Sequence, residues 1–184
     1  MIEQYVNEIY EALNHKFYYP ALALTLALPD ICGMAEYPNE DVGKRYINWI
    51  DKYLGEYFNG KEGECETDAP CLTGEVIYNL RNTFLHQGSP NVQKEKIKKE
   101  SNQVDKFTII LGDATRLWMC SRHIDSPVEN INYREMTVEI YYLCDSICSC
   151  ALWYYQHNKD KFKFDINVVS QEDYLSPYKD EQKE

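Results

Sequence analysis

The sequence lacks a long hydrophobic run. Its most apolar stretch extends from Tyr18 to Leu28 and ends at Pro29, so it is shorter than the roughly 20 residues that a membrane-spanning helix requires. The first ten residues contain neither a basic segment nor the apolar core of a secretory signal. These features predict a cytoplasmic protein without a membrane partner, whose seven cysteines are reduced thiols.

Positive charge is also scarce. The chain carries 19 Lys and Arg against 30 Asp and Glu, a formal net charge of −11, and its pI is about 4.8. This balance excludes a generally basic nucleic-acid-binding protein. We therefore expect no DNA partner, and RNA would have to bind at a local cationic patch. The 184 residues fit one domain, predicted for residues 1–170, with a charged, frayed tail at residues 171–184.

Motifs for a cofactor or a metal are missing as well. The sequence contains no G-x-G-x-x-G, no P-loop, no G-x-S-x-G and no H-E-x-x-H. Cys144, Cys148 and Cys150 lie close together, and Cys65 and Cys71 flank an acidic loop. Neither group has the paired spacing that a zinc site requires. We therefore predict no cofactor and no metal.

Hydrophobic periodicity predicts a bundle of about five helices. The second helix is apolar on all sides, and Pro29 should kink or interrupt it. Asn39 or Asp41 can cap the third helix, whose apolar stripe runs as far as Tyr57. The predicted helices cover residues 2–15, 20–36, 41–58, 72–86 and 132–157.

A small β appendage is predicted beside the bundle. The run Phe107–Leu111, a turn at Gly112-Asp113 and a second run at Thr115–Cys120 are typical of a hairpin. Alternating apolar residues between Phe162 and Val168 predict a short strand that pairs with this hairpin. Residues 91–103 are rich in lysine and are predicted to form an exposed connector, and residues 59–70 to form a loop.

One helix carries a pattern with chemical potential. Arg81 and His86 are separated by four residues, and the polar Asn82 follows the arginine directly. The arrangement resembles the signature of the HEPN superfamily, in which four to six residues separate an arginine, often followed by a polar residue, from a histidine. The resemblance implies a compact HEPN-like helical bundle, so the fold prediction is mainly α with a small β-hairpin. It implies a metal-independent endoribonuclease for many members and a non-catalytic role for others.

Two further similarities carry no functional assignment. Arg116 and His123 also match the bare arginine–histidine spacing, but Leu117 follows that arginine and the pair lies in the predicted hairpin, so we do not assign it to the site. The chain is also similar to a set of uncharacterised bacterial proteins, through the segments at residues 29–33, 46–49 and 72–75. That similarity implies no activity.

The resemblance assigns roles that the residue types support. Neutral histidine suits proton transfer near pH 7, so His86 is the candidate base for an RNA 2′-hydroxyl. Arg81 is the candidate residue that donates hydrogen bonds to the phosphate. Asn82, one turn away, would orient His86 or hold a phosphate oxygen. Arg81, Asn82 and His86 are therefore the predicted catalytic residues, with RNA as the substrate.

Helix geometry predicts how these residues face. At 100° per residue, the core face contains Val76, Ile77, Leu80 and Phe84, whereas Asn82 and His86 lie nearly opposite and Arg81 lies on the flank. Tyr78, Asn79, Leu85 and Asn82 would be partly wet in a monomer. We therefore predict a homodimer with two-fold symmetry about this helix, as the family resemblance also implies.

Other interpretations of the same residues stay open. Arg81 could form an ordinary ion pair with Glu75 or another carboxylate, and His86 could simply end a helix. Asp30 and Glu36 could form a buried acid pair, although a cap and a helix-end residue are favoured. The remaining histidines are predicted at loop or helix ends, namely His15, His123 and His157. The competing function is a non-catalytic module that binds a regulatory protein partner.

Overall fold

The computed structural model describes most of the chain, namely residues 1–60, 69–88, 92–112, 119–126, 131–163, 169, 171 and 174. Within these residues the protein is mainly helical, with one small sheet. Several predicted features lie outside the described residues: most of the loop at 59–70, Asp113 of the turn, Thr115 to Trp118, Phe164 to Val168 and most of the tail at 171–184. None of the described helices is both long and apolar enough to cross a membrane.

Six α-helices are found in the described residues, and the predicted second helix is divided into two. The division lies at Leu26 and Ala27, and Pro29 occupies the first turn of the new helix. Proline has no N–H and its ring clashes with the preceding turn, so it is tolerated only at such a position. The predicted interruption is therefore confirmed. The helices are α1 (Ile2–Asn14), α2 (Tyr18–Thr25), α3 (Leu28–Glu36), α4 (Val42–Asn59), α5 (Gly74–Gln87) and α6 (Ile140–His157).

The ends of the central helices follow from side-chain and glycine caps. Asp41 accepts a hydrogen bond from the backbone N–H of Lys44 at 3.1 Å, so the predicted start of α4 is confirmed. The Thr73 hydroxyl caps α5 in the same way. Gly88 ends α5 with φ of 66°, a left-handed conformation that favours glycine. The predicted stop at Gly88 is therefore confirmed, whereas Ser89 and Pro90 lie outside the described residues.

The core lies between the helices, and α4 and α6 both contribute to it. The buried face of α4 carries Trp49 and Ile50, which meet buried side chains of the other helices. One member of the predicted α4 stripe is wrong: Tyr57 is exposed, because the neighbouring Phe58 takes the buried position at this end of the helix. Burial of these apolar side chains is the main stabilising contribution to such a bundle.

The sheet differs from the predicted hairpin. It contains β1 (Lys106–Ile110), β2 (Met119–Ser126) and β3 (Ile131–Glu139) in the order β1-β3-β2. β2 pairs antiparallel with β3, and β1 pairs with β3 in parallel. The predicted hairpin is therefore not found in the described residues. Lys106–Ile110 pairs with the central strand β3, with Phe107 opposite Met136, and so do Met119 and Cys120, the described end of the second run.

The same strand corrects the predicted last helix. Residues 132–139 belong to β3, and α6 begins only at Ile140, where the Glu139 carboxylate accepts the backbone N–H of Tyr142 at 2.9 Å. Met136 has the spacing of the helical stripe, but it is buried from the strand. The remaining members of that stripe are buried on α6 as predicted, namely Ile140, Leu143, Ile147 and Ala151.

The predicted exposed connector is partly buried. It contains two short 3₁₀ turns, at Lys94–Lys96 and Glu100–Asn102, and Val92 and Ile97 are buried in the core. The prediction is therefore wrong at these two apolar positions, because each of them fills core space beneath a lysine-rich surface. The lysine side chains themselves remain on the outside.

Candidate functional site

Helix α5 is held in place by its apolar face. Val76, Ile77, Leu80 and Phe84 are buried as predicted, and α5 packs against α4. The contact is close at its first residue, because a Cβ on Gly74 would lie 2.5 Å from the carbonyl oxygen of Ile47. This packing fixes the directions in which the remaining side chains of α5 project.

Arg81 projects from the flank of α5, as predicted, and is mostly covered. Its side chain is 21% exposed. Nη1 donates a hydrogen bond to Oδ1 of Asn82 at 2.9 Å, and Nη2 lies 3.9 Å from Oδ2 of Asp30. Its Nε is buried and has no hydrogen-bond partner among the described residues. The guanidinium is therefore held near a carboxylate without being fully paired.

Asp30 is shared between two arginines. Arg45 donates from Nε and Nη2 to Oδ1 of Asp30 at 3.1 Å and 2.8 Å, while Oδ2 is the oxygen that faces Arg81. The three side chains together carry a net charge of +1. Gly33 allows α3 and α4 to approach closely here, because a Cβ at this position would lie 2.8 Å from the carbonyl oxygen of Arg45. The close approach brings Asp30 and Arg45 together.

The other two predicted site residues lie further along α5. Asn82 is half-buried, and its side-chain oxygen is used by Arg81 rather than by His86. His86 is exposed on the last turn of the helix. A helix places residues 81 and 86 about 7.5 Å apart along the axis and about 140° apart around it. Arg81 and His86 of one chain therefore project in different directions.

The outward face of α5 is smaller than the sequence predicts. Asn79 is only 4% exposed, since its amide donates to the carbonyl of Gln93 at 2.7 Å and accepts from the Gln93 N–H at 3.1 Å. Tyr78 is half-buried, with its ring 5.2 Å from that of Tyr46. The prediction of a partly wet side chain is therefore wrong for Asn79, whereas the half-buried Tyr78 agrees with it. Leu85 remains exposed beside Arg81 and His86.

The alternative ion pair of Arg81 with Glu75 or another carboxylate is found, but with Asp30 rather than with Glu75. Glu75 instead accepts the backbone N–H of Lys98 at 3.1 Å and lies 3.9 Å from the Lys98 ammonium. Its place beside Arg81 is taken by Asp30, which the sequence analysis interpreted as a cap. The buried acid pair of Asp30 with Glu36 is not formed, since each carboxylate has its own cationic partners.

The remaining histidines lie away from these groups on the fold. His15 ends α1 and His157 ends α6, as predicted, and each ring hydrogen-bonds a backbone carbonyl of its own helix. His123 lies within β2 beside Asn132, so its predicted place at a loop or helix end is wrong. Arg116, the other half of that match, lies outside the described residues.

A second charged cluster, which the sequence analysis missed, surrounds Glu36. Its side chain is 9% exposed, and burial alone would raise its pKa, but hydrogen bonds from lysine and tyrosine donors lower the pKa to about 2. Glu36 is thus a carboxylate at neutral pH, and it ties α3 to α4 and α6. In the sequence, the only signal for this cluster is that Glu36 is a single acidic residue at the end of an apolar helix. The donors are Lys52 and Lys161 at 2.5 Å, Tyr154 at 2.9 Å and Tyr53 at 3.0 Å.

The cysteines offer no reactive thiol among the buried positions. Burial raises the pKa of Cys144 and of Cys150 to about 12, and it also raises the pKa of Cys32 and of Cys148. A thiol with a raised pKa is a poor nucleophile and a poor metal ligand at neutral pH. Across the part of the chain that the structure describes, no three His, Cys, Asp or Glu residues form a potential metal site.

Comparison of the chain with protein-family models, with curated proteins and with solved structures finds no match. The arrangement most suited to chemistry is the cationic group formed by Asp30, Arg45 and Arg81, next to Asn82 and on the helix that ends with His86.

Proposed function

We propose that the protein is a cytoplasmic, metal-independent endoribonuclease of HEPN type that acts as a homodimer. In this proposal Arg81 binds the scissile phosphate, His86 is the base and Asn82 positions the arginine. The two copies together form one composite site, and RNA is the substrate.

The observation that carries the proposal is the surplus of positive charge around Asp30. Two guanidinium groups, from Arg45 and Arg81, share this one carboxylate, and only one of them is hydrogen-bonded to it. A phosphate that approached Arg81 would meet the exposed part of its guanidinium, since the side chain is 21% exposed and Nε is buried. Arginine binds phosphate oxygens through its guanidinium N–H groups. The group provides the local cationic patch that an RNA-binding site on this acidic chain would need.

The separation of Arg81 and His86 supports a site made from two copies. Because the two side chains project about 140° apart around α5, a second α5 facing the first would bring one chain's His86 towards the other chain's Arg81. Apolar surface for this contact is present at the same end of the helix. Leu85 is exposed between the two residues, and exposed Tyr19 stacks on Phe84 at 6.0 Å.

The proposed reaction needs no metal. His86 takes the proton from an RNA 2′-hydroxyl, whose oxygen then attacks the adjacent phosphorus. The bond from phosphorus to the 5′ oxygen breaks, and that oxygen takes up a proton from solvent. Arg81 stabilises the negative charge that develops on the phosphate oxygens. The products are a 2′,3′-cyclic phosphate and a 5′-hydroxyl end.

The direct test is incubation of the purified protein with a mixed RNA pool in the presence of a chelator. Cleavage that leaves cyclic phosphate and 5′-hydroxyl ends is the expected result, and end-specific labelling of the products distinguishes these ends from 3′-hydroxyl and 5′-phosphate ends. Complete absence of cleavage over a broad set of RNAs would overturn the proposal.

A second candidate function is a HEPN-like interaction module without catalysis. The observation that favours it is the position of Asp30, since this carboxylate faces Arg81 and would repel a phosphate. In that case α5 would contact a regulatory protein partner through the surface around Leu85. The same RNA assay discriminates the two functions, because an interaction module leaves every RNA intact.

A further inference from the structure

A groove between α4 and α6 lies apart from the proposed RNA site. It has a volume of about 520 Å³, and every side chain that lines it belongs to α4 or α6. This size falls in the range of pockets that hold small molecules, which typically combine aromatic walls with a few polar groups. The groove is therefore large enough for a small-molecule ligand, whether or not the protein cleaves RNA.

Two aromatic side chains stand at the groove and are largely exposed. Tyr57 is 60% exposed and Trp153 is 51% exposed. Each is supported on one side: Tyr57 stacks on Tyr142 with ring centroids 6.0 Å apart, and Trp153 packs against His157 at 4.6 Å. Supported aromatic rings with solvent-facing surface are suited to stacking on a flat ligand ring.

Opposite charges lie at the two ends of the groove. The helices run antiparallel, because Tyr57 contacts Tyr142 whereas Tyr53 contacts Trp153. Lys52 is therefore at the Trp153 end, and Asp145 is at the Tyr57 end. The lining residues of α6 extend over eight residue steps, which corresponds to about 12 Å along the helix.

Both charged groups retain capacity for a ligand. The Lys52 ammonium bonds to Glu36, but an ammonium has three N–H donors. Glu36 also receives Lys161, so this carboxylate and its two lysines carry a net charge of +1. At the other end, Tyr10 donates to Oδ1 of Asp145 at 2.7 Å, and Oδ2 takes no part in that bond.

We propose that the groove binds a small planar nitrogen heterocycle that carries an amino group at one edge and an acidic group at its other end. The ring stacks on Tyr57 at the end of the groove where its amino group donates to Asp145, and the acidic group binds Lys52 beside Trp153 at the other end. A carboxylate accepts well from the amino group of cytosine, whereas uracil presents a carbonyl at the same place. Cytidine monophosphate is a probe with all three features.

Isothermal titration calorimetry of the wild-type protein tests each contact separately. Cytidine monophosphate should bind more tightly than uridine monophosphate, which lacks the amino group, and more tightly than cytidine, which lacks the phosphate. We expect each difference to be at least about fivefold, the size of one hydrogen bond or charge contact. No heat of binding at millimolar cytidine monophosphate, or equal affinity for the three compounds, would overturn the proposal.

Variants then place the ligand in the groove. Tyr57→Ala should weaken cytidine monophosphate binding at least about fivefold through lost stacking on the base. Trp153→Ala removes the wall beside Lys52 and should weaken binding of the monophosphate as well. Phe17→Ala removes an equally exposed aromatic side chain from another part of the surface and should leave binding unchanged. Should Trp153→Ala fail to fold, Tyr57→Ala alone decides. Undiminished binding to the Tyr57→Ala protein would overturn the assignment.

The last variant tests orientation. Asp145→Asn replaces an acceptor by a group that both donates and accepts, so it should abolish the preference for cytidine over uridine monophosphate while binding persists. Lys52→Gln should weaken binding of the monophosphate but not of cytidine. A preference that survives Asp145→Asn would place the amino group elsewhere and contradict the proposed orientation.

Discussion

Nη2 of Arg81 lies 3.9 Å from Oδ2 of Asp30, on the carboxylate whose other oxygen is held by Arg45. A candidate phosphate-binding arginine is thus supported from α3 and only indirectly from α4. The arrangement depends on the close approach of these two helices at Gly33. Any change that separates the helices should therefore affect both the stability of the bundle and the direction of Arg81.

Gly33→Ala tests this close approach. The added Cβ would lie 2.8 Å from the backbone carbonyl of Arg45, which cannot move without shifting α4. Overpacking of this kind typically lowers the free energy of unfolding by about 1–3 kcal/mol, and urea denaturation followed by circular dichroism measures it.

Gly55→Ala is the matched control, because a Cβ at this helical position would meet nothing within 4 Å. Alanine is favoured over glycine in a helix interior, so this variant should gain about 0.5–1 kcal/mol. Equal effects of the two substitutions would contradict the packing described for Gly33.

The sequence predicts the helices of this fold better than its sheet. The caps at Asp41 and Gly88 and the interruption near Pro29 depend on local chemistry, and all three are confirmed. The strand β3 could not be predicted, because Met136 is spaced from Ile140 as in a helix and the switch at Glu139 has no strong local signal. Each residue of β1 pairs with a residue 29 positions further along the chain, beyond any pattern of neighbouring residues.

In the candidate site, too, the local features could be predicted and the contacts between distant segments could not. Periodicity predicts the buried face of α5, because burial repeats with the helix turn. It does not predict that residues 92–93 fold back to cover Asn79, nor that Asp30 faces Arg81, because these contacts join distant segments. The catalytic roles of Arg81, Asn82 and His86 stay predictions.

Asn79→Ala should destabilise the protein much more than Asn82→Ala, although both residues lie on α5. Removal of the Asn79 amide leaves the N–H and the carbonyl of Gln93 without their partner in a buried setting. Such a loss typically costs about 1–3 kcal/mol.

The half-buried Asn82 bonds only to the side chain of Arg81 among the described contacts, so its removal should cost less than about 1 kcal/mol. Thermal denaturation of the two variants side by side makes the comparison. A larger loss for Asn82→Ala would mean that the turn at residue 93 does not cover α5 as described.

Glu36 should make stability depend on acid pH. Its folded-state pKa is about 2, below the ordinary value of 4.5, so its contribution is complete above about pH 4.5 and is lost as the pH falls towards 2. A lowering of this size corresponds to at most about 3 kcal/mol, and screening of the partly exposed lysines reduces it. The difference in free energy of unfolding between wild type and Glu36→Gln, measured by urea denaturation, should therefore shrink between pH 5 and pH 2.5.

Glu11→Gln is the control for that experiment, since Glu11 is an exposed carboxylate near His15. Exposed pairs of this kind contribute little, so its stability curve should follow that of the wild type. A difference for Glu36→Gln that stays constant over the same pH range would show that the carboxylate charge is not what ties α3 to α6.

His86→Ala and Arg81→Ala should both remove RNA cleavage, yet differ in stability. Loss of a general base typically costs about 10²–10⁴-fold in rate, and loss of a charge-stabilising donor about 10²–10³-fold. His86 is exposed, so its removal should change the free energy of unfolding by less than about 0.5 kcal/mol. Arg81 is mostly covered and faces Asp30, so its removal should cost about 1–2 kcal/mol.

The control for catalysis is the second arginine–histidine pair with the same spacing, Arg116 and His123. Replacement of Arg116 and His123 by alanine should leave cleavage intact, because His123 lies in β2 rather than on α5.

Asn82→Ala should weaken cleavage rather than abolish it, since Asn82 acts only on Arg81. Mixing the Arg81→Ala and His86→Ala proteins gives the most discriminating test. A composite site between two copies predicts partial recovery of activity in the mixed dimers, because one intact His86 of the first chain then faces one intact Arg81 of the second. Cleavage that persists in His86→Ala, or its loss in the Arg116 and His123 variant alone, would show that another pair of residues performs the reaction.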